Sequence, residues 1–290
     1  MVSDILENYN NDQPIFKRAV VAAAFSHRLT AVLNESYRIL KRIGTWPVIT
    51  HAGEESSANR IRLEEAVDRS FFKEHPPICI IKNGSPSDVL IKVAREYEAD
   101  LIIAGALAKE GLFKYYLGSV ARKLARYSPS SVLLFTEPHP KSSPITKIHC
   151  AVEYDKDSEK AVVVAAQLAA FCDTRDLYYT HSFTIPEWNG GSGENVRSYL
   201  KEVYQKEDEK LKNYLQKFDL WGVPYQTRCL NDSSRRATLD FAREINADLL
   251  VMSGPRSRLG LWDRLFPANI ELALQHLPCS VLLTRNGAAG

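Results

Sequence analysis

No two cysteines in this chain stand at CxxC spacing, and no Cys/His cluster has the spacing of a zinc site. The five cysteines, Cys79, Cys150, Cys172, Cys229 and Cys279, are scattered, odd in number and set mostly in apolar stretches. That argues against a disulfide framework and reads them as buried thiols behaving as small hydrophobes. An excess of one charge is missing too: 37 basic and 35 acidic residues leave a formal +2, so no global field recruits nucleic acid or an anionic membrane. The longest apolar runs, such as AVVAAAF (19–25), are far too short to cross a bilayer. The opening MVSDILENYNND lacks the basic start and apolar core of a signal peptide. A cytoplasmic protein without membrane insertion is therefore expected. Walker A, HExxH and GxSxG sequences are absent, so a dedicated enzyme is not expected.

What the chain has is a sentence written twice. ADLIIAG (99–105) recurs as ADLLVMSG (247–254), and SPSSVLLFTE (128–137) recurs as LPCSVLLTRN (277–286). Between them KEGLFKYYLGS (109–119) returns, altered, as RLGLWDRLFPA (258–268), and THAG (50–53) is answered by THSF (180–183). An offset near half of 290 residues indicates a duplicated domain rather than a short-period solenoid. With 45% hydrophobic residues there is ample apolar material for two cores.

Each half alternates strand and helix. IFKRAVVAAAF (15–25) is a continuous apolar run, as a parallel strand covered on both faces requires. A helix follows, with Leu29, Val32, Leu33, Tyr37 and Leu40 at helical spacing and Gly44 as its stop. WPVITHAGEE (46–55) is a second strand and SSANRIRLEEAVDRSFFKEH (56–75) an amphipathic helix ended by Pro76-Pro77. PICIIKNG (77–84) is a third strand, after which Ser85 is a candidate N-cap with Pro86 at the first helical position. The stretch 99–137 then supplies strand four, a glycine-bearing loop, a helix opening at Ser119, and strand five. EPHPKSSPIT (137–146) is a proline- and serine-rich connection, and the order repeats from Lys147 with a long helix over 196–222. Alternation of this kind predicts doubly wound parallel α/β architecture. GGSG (190–193) does not match GxGxxG and reads as a flexible loop.

The loop after strand four carries Gly105, Gly111 and Gly118 and leads into a helix N-terminus, where free N–H groups and the positive dipole end suit phosphate. These residues, with SVLLF after them and the GSP turn at 84–86, resemble the universal stress protein domain, here in tandem over about 15–285. The resemblance implies two tandem five-stranded, Rossmann-like sheets of the adenine nucleotide alpha hydrolase type, each with strand order 3-2-1-4-5. The domains would be 13–137 and 147–286, joined by a linker at 138–146. It implies pairing of the halves through their fifth strands, SVLLF (131–135) and SVLLT (280–284), covering two exposed edges. A homodimer of the whole chain and a protein partner of unidentified nature are further expectations.

Members that bind ATP resemble one another in GxxGx9GS after strand four, an aspartate ending strand one, and a small apolar residue after a histidine ending strand two. In domain one these positions fall on Gly105, Ala108, Gly118 and Ser119 with Val120 following, on Ala24, and on Ala52 after His51. Domain two has Glu153 at the acidic position, His181-Ser182 on strand two, and Gly254, Ser257 and Pro267-Ala268 in the loop, its start ambiguous by one residue. Alanine at 108 costs ~1 kcal/mol if positive φ is required, and losing the acid at 24 costs a further ~1.5–3 kcal/mol if that acid accepts directly from the ligand. Together they move a micromolar site toward millimolar.

Three readings stand. The first is a stress-response regulator whose domain one weakly binds ATP or AMP, with Mg accompanying ATP, beside a degenerate domain two. The second is a nucleotide-free scaffold or interaction module, in which Gly105, Gly118 and Ser119 serve a turn and a helix start. The third is slow ATP hydrolysis or adenylyl chemistry at the same cleft. Arg256, Arg258 and Arg264 could hold an anion in domain two or be solvated surface charge, and His51 and His181 read first as packing residues.

Overall fold

The computed structural model describes residues 14–106, 118–139, 141, 144–186, 194–232, 236–254 and 277–286. The first half runs β1 (Arg18–Ala22), α1 (Leu29–Arg42), β2 (Trp46–Ala52), α2 (Ser57–Asp68), a 3-10 turn (Phe71–Glu74), β3 (Ile78–Lys82), α3 (Pro86–Glu96), β4 (Leu101–Gly105), α4 (Ser119–Tyr127) and β5 (Ser131–Phe135). The second runs β6 (Lys147–Ala151), α5 (Lys156–Phe171), β7 (Asp176–Phe183), α6 (Glu194–Leu215), β8 (Gln226–Asn231), α7 (Ala237–Glu244), β9 (Leu249–Ser253) and β10 (Ser280–Thr284).

Local chemistry sets the element ends. Gly44, at φ 65°, stops α1 in the left-handed region, and Thr45 N–H bonds back to Leu40 O at 3.0 Å. Ser85 is the N-cap residue of α3, with Pro86 in its first turn. The helix expected to run from 56 to 75 breaks instead at Ser70. Its hydroxyl donates to Val67 O at 2.7 Å and accepts from Phe72 N–H at 3.2 Å, while Asn34 of α1 accepts from Phe71 N–H at 2.9 Å. A side chain that offers the backbone other partners ends a helix.

The paired Ala-Asp of the repeat also has a structural task. Asp100 accepts from Lys17 N–H at 3.1 Å and Arg18 N–H at 3.3 Å, and Asp248 accepts from Thr146 N–H at 2.8 Å and Lys147 N–H at 2.9 Å. Each carboxylate thus ties the start of its own half's first strand to the strand beside it.

Two separate five-stranded sheets are not what forms. There is one ten-stranded sheet, ordered β3-β2-β1-β4-β5-β10-β9-β6-β7-β8. The order 3-2-1-4-5 survives only as each half of this longer order, the second half read from the far edge. All pairings are parallel except at the centre, where β5 and β10 run antiparallel with Leu133 opposite Leu282. The physical reason lies in their sequences: SVLLF is buried throughout and SVLLT nearly so, and an apolar strand of that kind cannot be left as a bare edge.

Helices cover both faces. One apolar layer gathers α1, α2, α5 and α6 around Leu33, Leu40, Leu63, Val162 and Leu211; the other gathers α3, α4 and α7 around Val93, Leu124 and Leu239. Both layers run unbroken through the β5–β10 seam, since Leu133 and Leu282 share one and Val132 and Val281 the other.

Candidate functional site

In an open parallel sheet the crevice lies beyond the carboxyl ends of the strands, where strand order reverses. In the first half that point lies between β1 and β4, which pair through Val20–Ile102 and Val21–Ile103. The register places Ala24, just past β1, Ala52, at the end of β2, and Gly105, at the end of β4, together at that end. Ala52 and Val120 pack against the same apolar layer. Gly118 is the N-cap residue of α4 at φ −61° and ψ 161°, with no side-chain cap, and Ser119, exposed, is the first helical residue. The opening N–H groups of α4 thus have no side-chain acceptor from their cap.

Ala108 and Gly111 lie outside the described residues, as do Ser257, Pro267-Ala268, the arginines 256, 258 and 264, and the GGSG at 190–193. Gly105 has a packing reason: a Cβ there would stand 3.1 Å from Val32 Cγ2 on α1. The one-residue ambiguity in the copy is resolved by the ladder. Gly105 lies opposite Phe135 and Ser253 opposite Thr284, so the counterpart of Gly105 is Ser253, and Gly254 corresponds to Ala106. Gly254 serves different neighbours, since a Cβ there would meet Thr284 O at 3.2 Å and Arg285 side-chain atoms at 3.3 Å.

The strand ends hold an arrangement that the sequence reading missed. His51 Nδ1 lies 2.8 Å from Ala23 O, its ring stacks on Phe25 with centroids 3.8 Å apart, and Arg62 of α2 covers the outer face of Phe25 at 4.4 Å. The second half repeats it: His181 Nδ1 lies 2.8 Å from Val152 O, Tyr154 packs on the ring at 4.0 Å, and Lys210 of α6 sits over Tyr154 at 4.8 Å. The signal was available in the THAG/THSF pair and in the aromatic residue at the same point after each first strand. Both histidines are packing and hydrogen-bonding residues. Gly53 fits this stack, because a Cβ on it would fall 2.5 Å from His51 Nε2.

The two crevices differ in charge. Ala24 offers no acceptor, whereas its counterpart Glu153 is open to solvent on one side and crowded by protein on the other. Desolvation first, then the negative charges of Asp155 and Asp232, raise its pKa above the usual carboxylate range. Desolvation lowers the pKa of His181, outweighing its bond to Val152 O, and Lys210 adds to the fall. Burial pushes the Cys229 thiol up to about 11 and Cys279 up to about 12, which removes both as nucleophiles at neutral pH. No helix among the described residues is long and apolar enough to cross a membrane.

A model of the universal stress protein family matches residues 20–136 and again 144–285. A universal stress protein of Methanothermobacter thermautotrophicus is 36% identical over 55 residues, 19% of this chain and 37% of that protein. One from Methanocaldococcus jannaschii is 26% identical over 96 residues, 33% of this chain and 55% of that protein. The chain thus spans between about a third and about half of the length of these curated relatives. A solved structure from Pseudomonas aeruginosa, described as a universal stress protein, superposes with TM-score 0.72 at 16% identity over 95% of both chains, a likeness of fold. Two family segments, one in each half of a sheet duplicated about its centre, lead to one statement: this chain belongs to the universal stress protein family.

Proposed function

We propose that this protein is a cytoplasmic stress-response regulator, not a dedicated enzyme, whose first half weakly binds an adenine nucleotide and whose second half is a degenerate partner. The observation that carries the reading is the start of α4, where the cap residue is a glycine and so offers the first-turn N–H groups no side-chain acceptor of its own, beside the β1–β4 switch point. A phosphate would supply that acceptor. The phosphate end of ATP or AMP therefore fits. The ribose end has Ala24 where a carboxylate would accept a hydroxyl, hence the weak affinity. No group of three His, Cys, Asp or Glu able to hold a metal occurs among the described residues, so Mg2+ would come carried by the phosphates of ATP.

The test is calorimetric titration with ATP and AMP, with and without MgCl2. Saturable heat is expected near the millimolar range, and Ser119→Glu is expected to abolish it. The melting temperature of that variant should be unchanged or higher, because an acid in the first turn favours the helix dipole while repelling phosphate. Absence of heat overturns the reading.

A second reading, a nucleotide-free interaction module, is favoured by one specific observation: Gly105 has a packing reason in Val32 that needs no ligand. A protein partner and self-association as a homodimer belong to it, and light scattering of the intact chain tests the latter. Phosphate release from ATP above background, lost in Ser119→Glu, would mark slow hydrolysis instead.

A further inference from the structure

The halves form a second recess where they meet. The last two turns of α1 (Tyr37, Arg38, Lys41, Arg42), Phe71 of the 3-10 turn, Ala170 and Phe171 of α5, Asp173 and Lys141 line a groove of about 610 Å³, the size of a small-molecule site. Four of these side chains are cations, and the one carboxylate, Asp173, is held by Arg42 at 2.5 Å. Arg42 also donates to Phe171 O at 3.0 Å, which fixes it across the junction.

Arg38 reaches Glu35 with Nη2 at 3.3 Å, but its Nε is buried without a hydrogen-bond partner. Lys41 lies 5.3 Å over the Tyr37 ring and 3.8 Å from Glu74, with 54% of its side chain still exposed. Lys141 makes no ion pair among the described residues. Phe71, 38% exposed and 6.1 Å from the Tyr37 ring, offers an uncovered aromatic face. Four cations around a single carboxylate that is already engaged favour an anion, and an aromatic wall beside cations suits a flat ring.

We propose that this groove binds a small aromatic polyanion, a ring system carrying two or more negative charges. It is separate from the nucleotide crevice: α1 starts near the crevice and ends at the groove, 14 residues away, or ~21 Å at 1.5 Å per residue. Its walls come from both halves, held against each other by Arg42 through Phe171 O and Asp173.

Fluorescence anisotropy titration of the intact protein with pyrenetetrasulfonate, an aromatic tetra-anion, tests this. Saturable submillimolar binding is expected, weakened at least tenfold by Lys41→Glu/Lys141→Glu and by Phe71→Ala, and unchanged in Ser119→Glu. Inorganic tripolyphosphate should compete at least tenfold less well than the probe itself. Circular dichroism melts establish that each variant is folded, and Phe71→Ala keeps the test open should the double charge reversal unfold. No saturable binding, binding indifferent to either groove variant, or equal competition by tripolyphosphate overturns the proposal.

Discussion

His149 of β6 is fully buried. Its Nε2 lies 2.7 Å from Thr180 Oγ1, while its Nδ1 has no hydrogen-bond partner. Desolvation holds its pKa down to about 3, below the ~6.5 of an unfolded chain. As pH falls below ~6.5 the unfolded chain takes up a proton that the native one refuses until ~3. The stabilisation is therefore whole above ~6.5 and lost across that window at ~1.4 kcal/mol per pH unit. Urea unfolding at pH 7 and pH 5 should show a loss of about 2 kcal/mol from this residue. The first half supplies its own control, since the ladder puts Val20 at the corresponding position and leaves Thr50 Oγ1 buried without a partner. His149→Val should accordingly cost little at pH 7 and remove this part of the acid slope. No periodicity in KIHCAVEY separates a buried histidine from an exposed one, because a strand covered on both faces has no polar side.

At the scale of elements, the glycine at the end of β4 is decided by a helix far from it in sequence. Gly105→Ala places a methyl 3.1 Å from Val32 Cγ2 and should cost about 1 kcal/mol by overpacking. Because Val32 is itself a buried core residue, Gly105→Ala/Val32→Ala should be less destabilised than the sum of the two single variants, a non-additivity read from denaturant midpoints. The sequence announced the helix stop at Gly44, and the copy shows that the stop is geometric rather than a property of glycine, since Asp173 takes φ 54° after α5 with Thr174 N–H on Ala169 O at 3.0 Å. Glu98 and Asn246 repeat the pattern at φ 50° after α3 and α7. The break at Ser70 was not legible, because it depends on Asn34 of another helix accepting from Phe71 N–H. The start of α4 was legible in full, from the Gly-Ser pair itself.

On the scale of the molecule, the halves are locked by side chains as well as by the β5–β10 ladder. Arg285, past the end of β10, is 8% exposed and sends Nη2 to Ala125 O at 2.6 Å and Arg126 O at 3.4 Å, near the carboxyl end of α4 in the other half. Burial lowers its pKa to about 10, so it stays charged at neutral pH, and its own carbonyl accepts from Lys160 Nζ at 2.6 Å. Arg285→Met should destabilise the protein by about 2–3 kcal/mol, the worth of charged hydrogen bonds left unmade, seen as a lower urea midpoint with one unfolding transition. The sequence by itself determined the duplication, the alternation of strand and helix, the buried fifth strands and the position of the α4 start, because these are local patterns of apolar spacing and end signals. Only the tertiary structure decided that ten strands make one sheet, that Gly105 answers to Val32 and corresponds to Ser253, that each strand-end histidine is clamped in an aromatic–cation stack, and that cations from both halves line one groove. Each of these depends on which residues far apart in the chain are brought within a few ångströms of one another, and a one-dimensional pattern carries no distance of that kind.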